Sequence, residues 1–177
     1  FEPYARNAET LARPWVVPGM AGLAHRIGGL EKQDGSGNIS YDPDNHAEMT
    51  RLRAEKIARI ADRLPPAALD DGPADSDLLV IGWGSPYGAI KQAVSELNAE
   101  GKKIAHVHIR HLWPLPRGLA DLIASFPKAV TAELNTGQLA GILRSEYLAP
   151  VTSISQVSGQ PFRVRDMKAS LAAELEE

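Results

Sequence analysis

The run Leu78-Leu79-Val80-Ile81, leading directly into Gly82-Trp83-Gly84-Ser85-Pro86-Tyr87-Gly88, limits what this chain can fold into more than any other stretch. Four apolar residues without polar alternation suit a strand buried on both faces, as in a parallel sheet covered by helices. Ser85 is placed to cap a helix, Pro86 fits its first position, and the glycines permit a sharp bend. Ile90, Ala93, Val94 and Leu97 then recur at helical spacing, and Gly101 stands where a left-handed C-cap residue belongs. The pattern predicts a strand, a tight turn and a helix.

The alternation continues downstream. Lys103–Ile109 reads as a second strand ended by Trp113-Pro114-Leu115-Pro116, and Leu119, Leu122, Ile123 and Phe126 mark a helix. Ala129–Glu133 is a third strand, with a helix carrying Leu139, Ile142, Leu143 and Tyr147 after Asn135-Thr136-Gly137. Val151–Ser155 is a fourth strand, Pro161-Phe162 a turn, and Met167, Leu171 and Leu175 give a final helix. Strands alternating with helices at this spacing predict a three-layer α/β domain with a mostly parallel sheet over residues 76–177.

Upstream the pattern is lost. Residues 1–44 have no sustained period and are broken by Pro3, Pro14, Pro18 and Pro43, yet Trp15-Val16-Val17, Leu23, Ile27 and Leu30 are too apolar for a disordered linker. The expectation is an extended arm lying on another domain or subunit, with Asp34–Asn38 as an exposed turn or hairpin tip. Asn45 and Glu48 have the spacing of a capping box, opening a helix whose apolar sector is Met49, Leu52, Ile57, Ile60 and Leu64. Glu55 and Arg59 are placed to pair across one turn, and His46 reads as a locally bonded residue at the helix start. Residues 65–77, with three prolines and Asp70, Asp71, Asp75 and Asp77, read as an acidic linker. The expected division is 1–64 for arm and helix, 65–75 for linker and 76–177 for the α/β domain.

Composition narrows the function classes. A formal charge of −3 with mixed signs gives no electrostatic footprint for nucleic acid. No apolar run approaches the roughly 18 residues of a membrane helix. Cysteine is absent, so this chain can supply no thiol nucleophile, disulfide or cysteine-ligated cluster, and it fits a reducing cytoplasm. The chain opens on Phe1 rather than methionine, which predicts a piece of a longer polypeptide.

Three constellations can carry chemistry. Gly82, Gly84 and Gly88 approximate a dinucleotide-binding turn, with Arg110 placed for a 2′-phosphate; a plain strand-to-helix turn needs the same glycines. His106 and His108 share one strand face with His111 beyond, but no third metal ligand is fixed, and the preferred reading is a structural pair on the sheet or a polar face turned to a partner. Glu133-Leu134-Asn135-Thr136-Gly137-Gln138 gathers polar groups at a strand end, on the rim that also carries Gly84, Ser85, Tyr87 and Gly88 if both strands run parallel. Each of these residues also has a capping role open to it.

The ordered set Asp42-Pro43-Asp44-Asn45-His46, Gly84-Ser85-Pro86-Tyr87-Gly88, His111-Leu112-Trp113-Pro114-Leu115-Pro116, Glu133-Leu134-Asn135-Thr136-Gly137-Gln138-Leu139 and Gly159-Gln160-Pro161-Phe162 resembles the C-terminal part of 2-oxoglutarate:ferredoxin oxidoreductase alpha subunits. The resemblance implies the end of a pyrimidine-binding domain followed by a transketolase C-terminal-like domain. It implies an enzyme that oxidatively decarboxylates a 2-oxoacid with CoA, forming succinyl-CoA and CO2 from 2-oxoglutarate. Thiamine diphosphate, Mg2+ and an iron–sulfur cluster would pass electrons to ferredoxin. The same resemblance places the diphosphate and cluster sites in a beta subunit and the cofactor-activating glutamate upstream, so it transfers no catalytic residue and no bound cofactor to this chain alone. The expected work here is assembly, with Gly84, Ser85, Tyr87, Gly88, Glu133, Asn135, Thr136, Gly137 and Gln138 as the cofactor-binding or interface rim. The competing expectation is a free-standing NADP-binding α/β module.

Overall fold

Leu78–Trp83 forms β1, an interior strand flanked by β2 (Ile104–Ile109) and β3 (Lys128–Glu133); β4 (Val151–Ser155) completes the order β2-β1-β3-β4, and every pairing is parallel. The computed structural model describes residues 1–176 and divides into two units, Phe1–Arg63 and the residues from Leu64 on. Leu78 through Ile81 are fully buried. Leu79 and Ile81 face a core shared with α3 (Leu119–Ala124) and α4 (Gln138–Tyr147). Leu78 and Val80 face a second core made with α2 (Tyr87–Ala99) and α5 (Val164–Glu174). Two apolar faces explain the unbroken run, since each such side chain contributes about 1.5–3 kcal/mol on full burial. Helices on both faces of the sheet make the three layers.

Helix ends follow the expected chemistry with two corrections. Gly101 has φ +87°; its N–H donates to Asn98 O and that of Lys102 to Leu97 O, each at 3.0 Å, closing α2 with a Schellman motif. At the start of α2, Ser85 is not the cap. Pro86 occupies the cap position, its carbonyl accepts the Ile90 N–H at 3.0 Å, and no side chain caps the helix.

In the Phe1–Arg63 unit, α1 (Pro43–Ala58) continues into a 3-10 turn over Arg59–Arg63. Its cap is Asp42, whose carboxylate accepts the Asp44 and Asn45 N–H groups; Pro43 at the first helical position starts the helix earlier than Asn45 predicts. Asn45 instead ties the turn to the helix, donating to Lys32 O and accepting from Asp34 N–H, each at 3.0 Å. Met49 and Leu52 build a small core with Leu11 and Tyr4, whereas Ile60, expected on that apolar sector, is exposed because the 3-10 turn rotates it off the face. Glu55 pairs with Arg59 as expected, and His46 Nδ1 bonds Glu31 at 2.8 Å. An antiparallel bridge between Lys32 and Ile39 flanks the Asp34–Asn38 tip. The rest of the arm has no helix or strand and leaves Trp15 93%, Tyr41 83% and Ile27 82% exposed.

Residues 65–77 are not a free linker. Asp71 bridges His106 antiparallel, its carbonyl accepting the His106 N–H at 2.9 Å, while Asp70 accepts the His108 N–H on its carboxylate at 2.7 Å. The Asp77 N–H reaches Lys103 O at 3.0 Å, so the segment covers the outer edge of β2 and satisfies donors an open edge would leave unpaired. Among the described residues, no helix is long and apolar enough to cross a membrane.

Candidate functional site

Because β1 and β3 are parallel with Gly82 beside Ala132, the loops that follow them leave the same end of the sheet. Gly84–Gly88 and Asn135–Gln138 therefore share one rim, as the pattern predicts. Their polar groups divide into those used up by the fold and those left over.

Glu133 is fully buried. One carboxylate oxygen accepts the Leu139 N–H at 2.8 Å; the other accepts the Ala140 N–H at 3.0 Å and the Thr131 hydroxyl at 2.8 Å. Asn135 Oδ1 accepts the Gly137 and Gln138 N–H groups at 2.8 and 2.9 Å. Together they satisfy every N–H that the first turn of α4 leaves orphaned. Burial alone would raise the Glu133 pKa; the bonds from Leu139, Ala140, Thr131 and Asn135 outweigh it and hold the carboxyl below its usual range. Glu133 is thus a committed carboxylate, not a proton carrier. Gly137 has φ +85° and lies where an added Cβ would meet Ser153 at 3.3 Å, so glycine fits on two counts. Thr136 and Gln138 on one loop, and Gly84, Ser85 and Gly88 on the other, remain exposed, with Tyr87 half-buried beside them.

The structure adds a cluster that the rim reading does not contain. Tyr87 stands 4.7 Å from the His108 ring and 5.7 Å from His106, centre to centre, with the two imidazoles 5.9 Å apart. His106 is fully buried, and both its ring nitrogens lack hydrogen-bond partners, as does His108 Nδ1. Alternation on β2 could be read from sequence; that α2 begins over those two rings could not, because it depends on β1 lying beside β2. Among the described residues no three His, Asp or Glu side chains converge as a metal site would need. Gly82 is absorbed by the same packing: a Cβ there would meet Ile90 Cδ1 at 2.6 Å and the two histidine rings at 3.2 and 3.3 Å. That accounts for the first glycine of the dinucleotide-like turn without a nucleotide. Arg110 instead lines a cleft of about 310 Å³ between the 65–70 segment and the end of β2.

Burial drives the His106 pKa from 6.5 down to about 4, against a smaller opposing pull from Asp70. The folded imidazole stays neutral where the unfolded one takes up a proton, so stability is full above pH 6.5 and falls as pH drops towards 4. The loss reaches about 3 kcal/mol. Urea midpoints measured between pH 7 and pH 4.5 should decline steeply in the natural chain and much less in His106→Leu; parallel curves would refute this assignment.

Residues 76–167 match the family described as pyruvate:ferredoxin oxidoreductase core domain II. Over its whole length the chain is 48% identical to 2-oxoglutarate oxidoreductase subunit KorA of Mycobacterium tuberculosis, covering 27% of that protein. It is 30% identical over 82% of its length to 2-oxoacid:ferredoxin oxidoreductase 1, subunit alpha, of Aeropyrum pernix, covering 23% of it. The chain spans about a quarter of the length of these curated relatives. Among solved structures it superposes, over 99% of its length with a TM-score of 0.87 and 26% identity, on 31% of a chain of 2-oxoglutarate:ferredoxin oxidoreductase from Magnetococcus marinus with 2-oxoglutarate, coenzyme A and succinyl-CoA bound. A split-gene transketolase, at TM-score 0.50 and 23% identity over 64% of this chain and 43% of its own, shares the fold.

Proposed function

This chain belongs to the pyruvate:ferredoxin oxidoreductase core domain II family, and from that premise we propose that it is the C-terminal assembly domain of the alpha subunit of a 2-oxoglutarate:ferredoxin oxidoreductase. The whole-length superposition on an enzyme holding 2-oxoglutarate and coenzyme A carries the reading. The complete enzyme would convert 2-oxoglutarate and CoA to succinyl-CoA and CO2 while reducing ferredoxin. Thiamine diphosphate with Mg2+ would supply the carbanion chemistry, and an iron–sulfur cluster the electron path. The donor set here does not fit either inorganic group: there is no cysteine, and no metal-binding cluster forms among the described residues. On this reading both groups belong to a beta subunit, and the cofactor-activating glutamate to an upstream part of the alpha subunit.

This chain's contribution is positional. The rim of Gly84, Ser85, Tyr87, Gly88, Glu133, Asn135, Thr136, Gly137 and Gln138 faces that partner: Glu133, Asn135 and Gly137 fix the loop, and Ser85, Thr136 and Gln138 present its exposed side chains. The apolar side chains of the arm, Trp15 above all, are exposed in the way of a surface that docks on protein. Nothing in the comparisons supports the nicotinamide alternative.

The test uses the parent alpha subunit purified with its partner, assayed for CoA-dependent ferredoxin reduction. The reading expects 2-oxoglutarate to be preferred over pyruvate, and Ser85→Arg or Thr136→Arg to lower turnover by about tenfold or more with the melting temperature unchanged. Faster turnover of pyruvate would overturn the substrate. Full activity in both arginine variants would remove the rim.

A further inference from the structure

We infer that a cleft in the Phe1–Arg63 unit binds a small phosphate-bearing anion, a role outside the assembly function proposed above. The cleft encloses about 670 Å³, within the range of small-molecule sites. It is lined by Arg6, Arg13, Lys32, Arg53 and Lys56 against a single carboxylate, Glu31. Glu31 is already engaged by Arg53 at 3.1 Å and by His46 at 2.8 Å. A concentration of positive charge in one cleft of a chain whose net charge is −3 is not the mixed pattern of an ordinary surface.

The cations also differ in how far the fold employs them. The Arg6 side chain is only 9% exposed, its Nη1 donates to Leu11 O at 3.1 Å, and its Nε has no hydrogen-bond partner, the nearest carboxylate being Asp34 at 4.0 Å. Lys32, 3% exposed, is held by the Gly28 and Leu30 carbonyls, which fix a second charge at the wall. Arg13 lies over the Tyr4 ring at 4.3 Å, and among the described residues no carboxylate pairs with Arg13 or Lys56.

One carboxylate would be satisfied by a single arginine fork. Cations arranged around a cleft from the arm and from α1 suit an anion whose oxygens radiate tetrahedrally, as in a phosphate or diphosphate. The Tyr4, Ile27 and Ile57 side chains give the same cleft an apolar wall for the remainder of such a ligand.

Calorimetric titration of the full 177-residue chain with inorganic pyrophosphate, and separately with citrate, tests the inference. Pyrophosphate should bind saturably at one per chain and weaken as salt is raised. Its Kd should rise about tenfold or more in the Arg13→Gln/Lys56→Gln double variant, whose circular dichroism should match the natural chain and whose melting temperature should fall only slightly, because among the described residues neither has an ion-pair partner and Arg13 gives up only its stacking on Tyr4. Lys103→Gln, outside the cleft, should leave the Kd unchanged. Absence of saturable pyrophosphate binding, equal affinity in the double variant, or binding of citrate in preference to pyrophosphate would each overturn it.

Discussion

Gly72→Ala should detach the 65–77 segment from β2 and cost the fold about 3 kcal/mol or more. Two effects add. Gly72 has φ +84°, a left-handed conformation that costs an L-residue about 1–2 kcal/mol. An added Cβ would also lie 2.1 Å from the Ile104 carbonyl oxygen and 2.8 Å from the Ala105 Cα. Both neighbours are backbone of a sheet strand, so the segment must yield rather than the strand. The neighbouring Asp71–His106 bridge and the Asp70 bond to His108 N–H would be lost with it. Gly101→Ala is the control: its φ of +87° carries the same conformational strain, but its Cβ would meet nothing within 4 Å. Urea denaturation should therefore place Gly72→Ala well below Gly101→Ala, and hydrogen exchange should show the His106 and His108 amides losing protection in the first variant alone. Equal midpoints would mean that the segment contributes little to the edge of the sheet.

Glu133→Ala should be of similar severity, about 3–5 kcal/mol, because it leaves the Leu139 and Ala140 N–H groups unpaired in a buried place and the Thr131 hydroxyl with only the longer bond to Thr152 O at 3.3 Å. Glu133→Gln keeps the shape and one acceptor but turns an amide group towards a backbone donor, so roughly half that loss is expected. The sign of the pH dependence follows from the lowered folded pKa. The stabilisation is present above the unfolded carboxyl's ordinary 4.5 and disappears as pH falls through the folded value. Acid thus removes the Glu133 contribution after it has removed that of neutral His106, whose window lies higher, and the two lesions should be separable in the variants. Exchange at Leu139 and Ala140 is the local readout; a Glu133→Ala variant within about 1 kcal/mol of the natural chain would show that water replaces the carboxylate. The consequence for the rim is direct, since the loop bearing Thr136 and Gln138 is held by this one side chain and by Asn135.

Both residues illustrate how far the sequence could be read. Glu133 and Asn135 were visible as polar groups at a strand end, with capping and ligand binding both open to them. Choosing between these required the distance from each oxygen to α4. Gly72 carried no signal, because three prolines and four aspartates resemble a linker whether or not the backbone pairs with a strand. Asn45 and Ser85 are not the caps: Asp42 meets the same local rule three residues earlier, whereas Pro86 takes the cap position one residue later with no capping side chain. The arm was legible as apolar and irregular, and its exposed Trp15, Ile27 and Tyr41 agree with that reading.

The sequence by itself determined the four strands, their parallel character and the three layers, because an unbroken apolar run and a 3.6-residue period are local consequences of which side chains must leave water. Tertiary structure alone decided that β1 lies between β2 and β3, and therefore that Tyr87 closes over His106 and His108 while Glu133 turns inward to α4. Strand order and the pairing of distant polar groups are non-local: the same local pattern permits several orders, and only close packing of the whole sheet selects one.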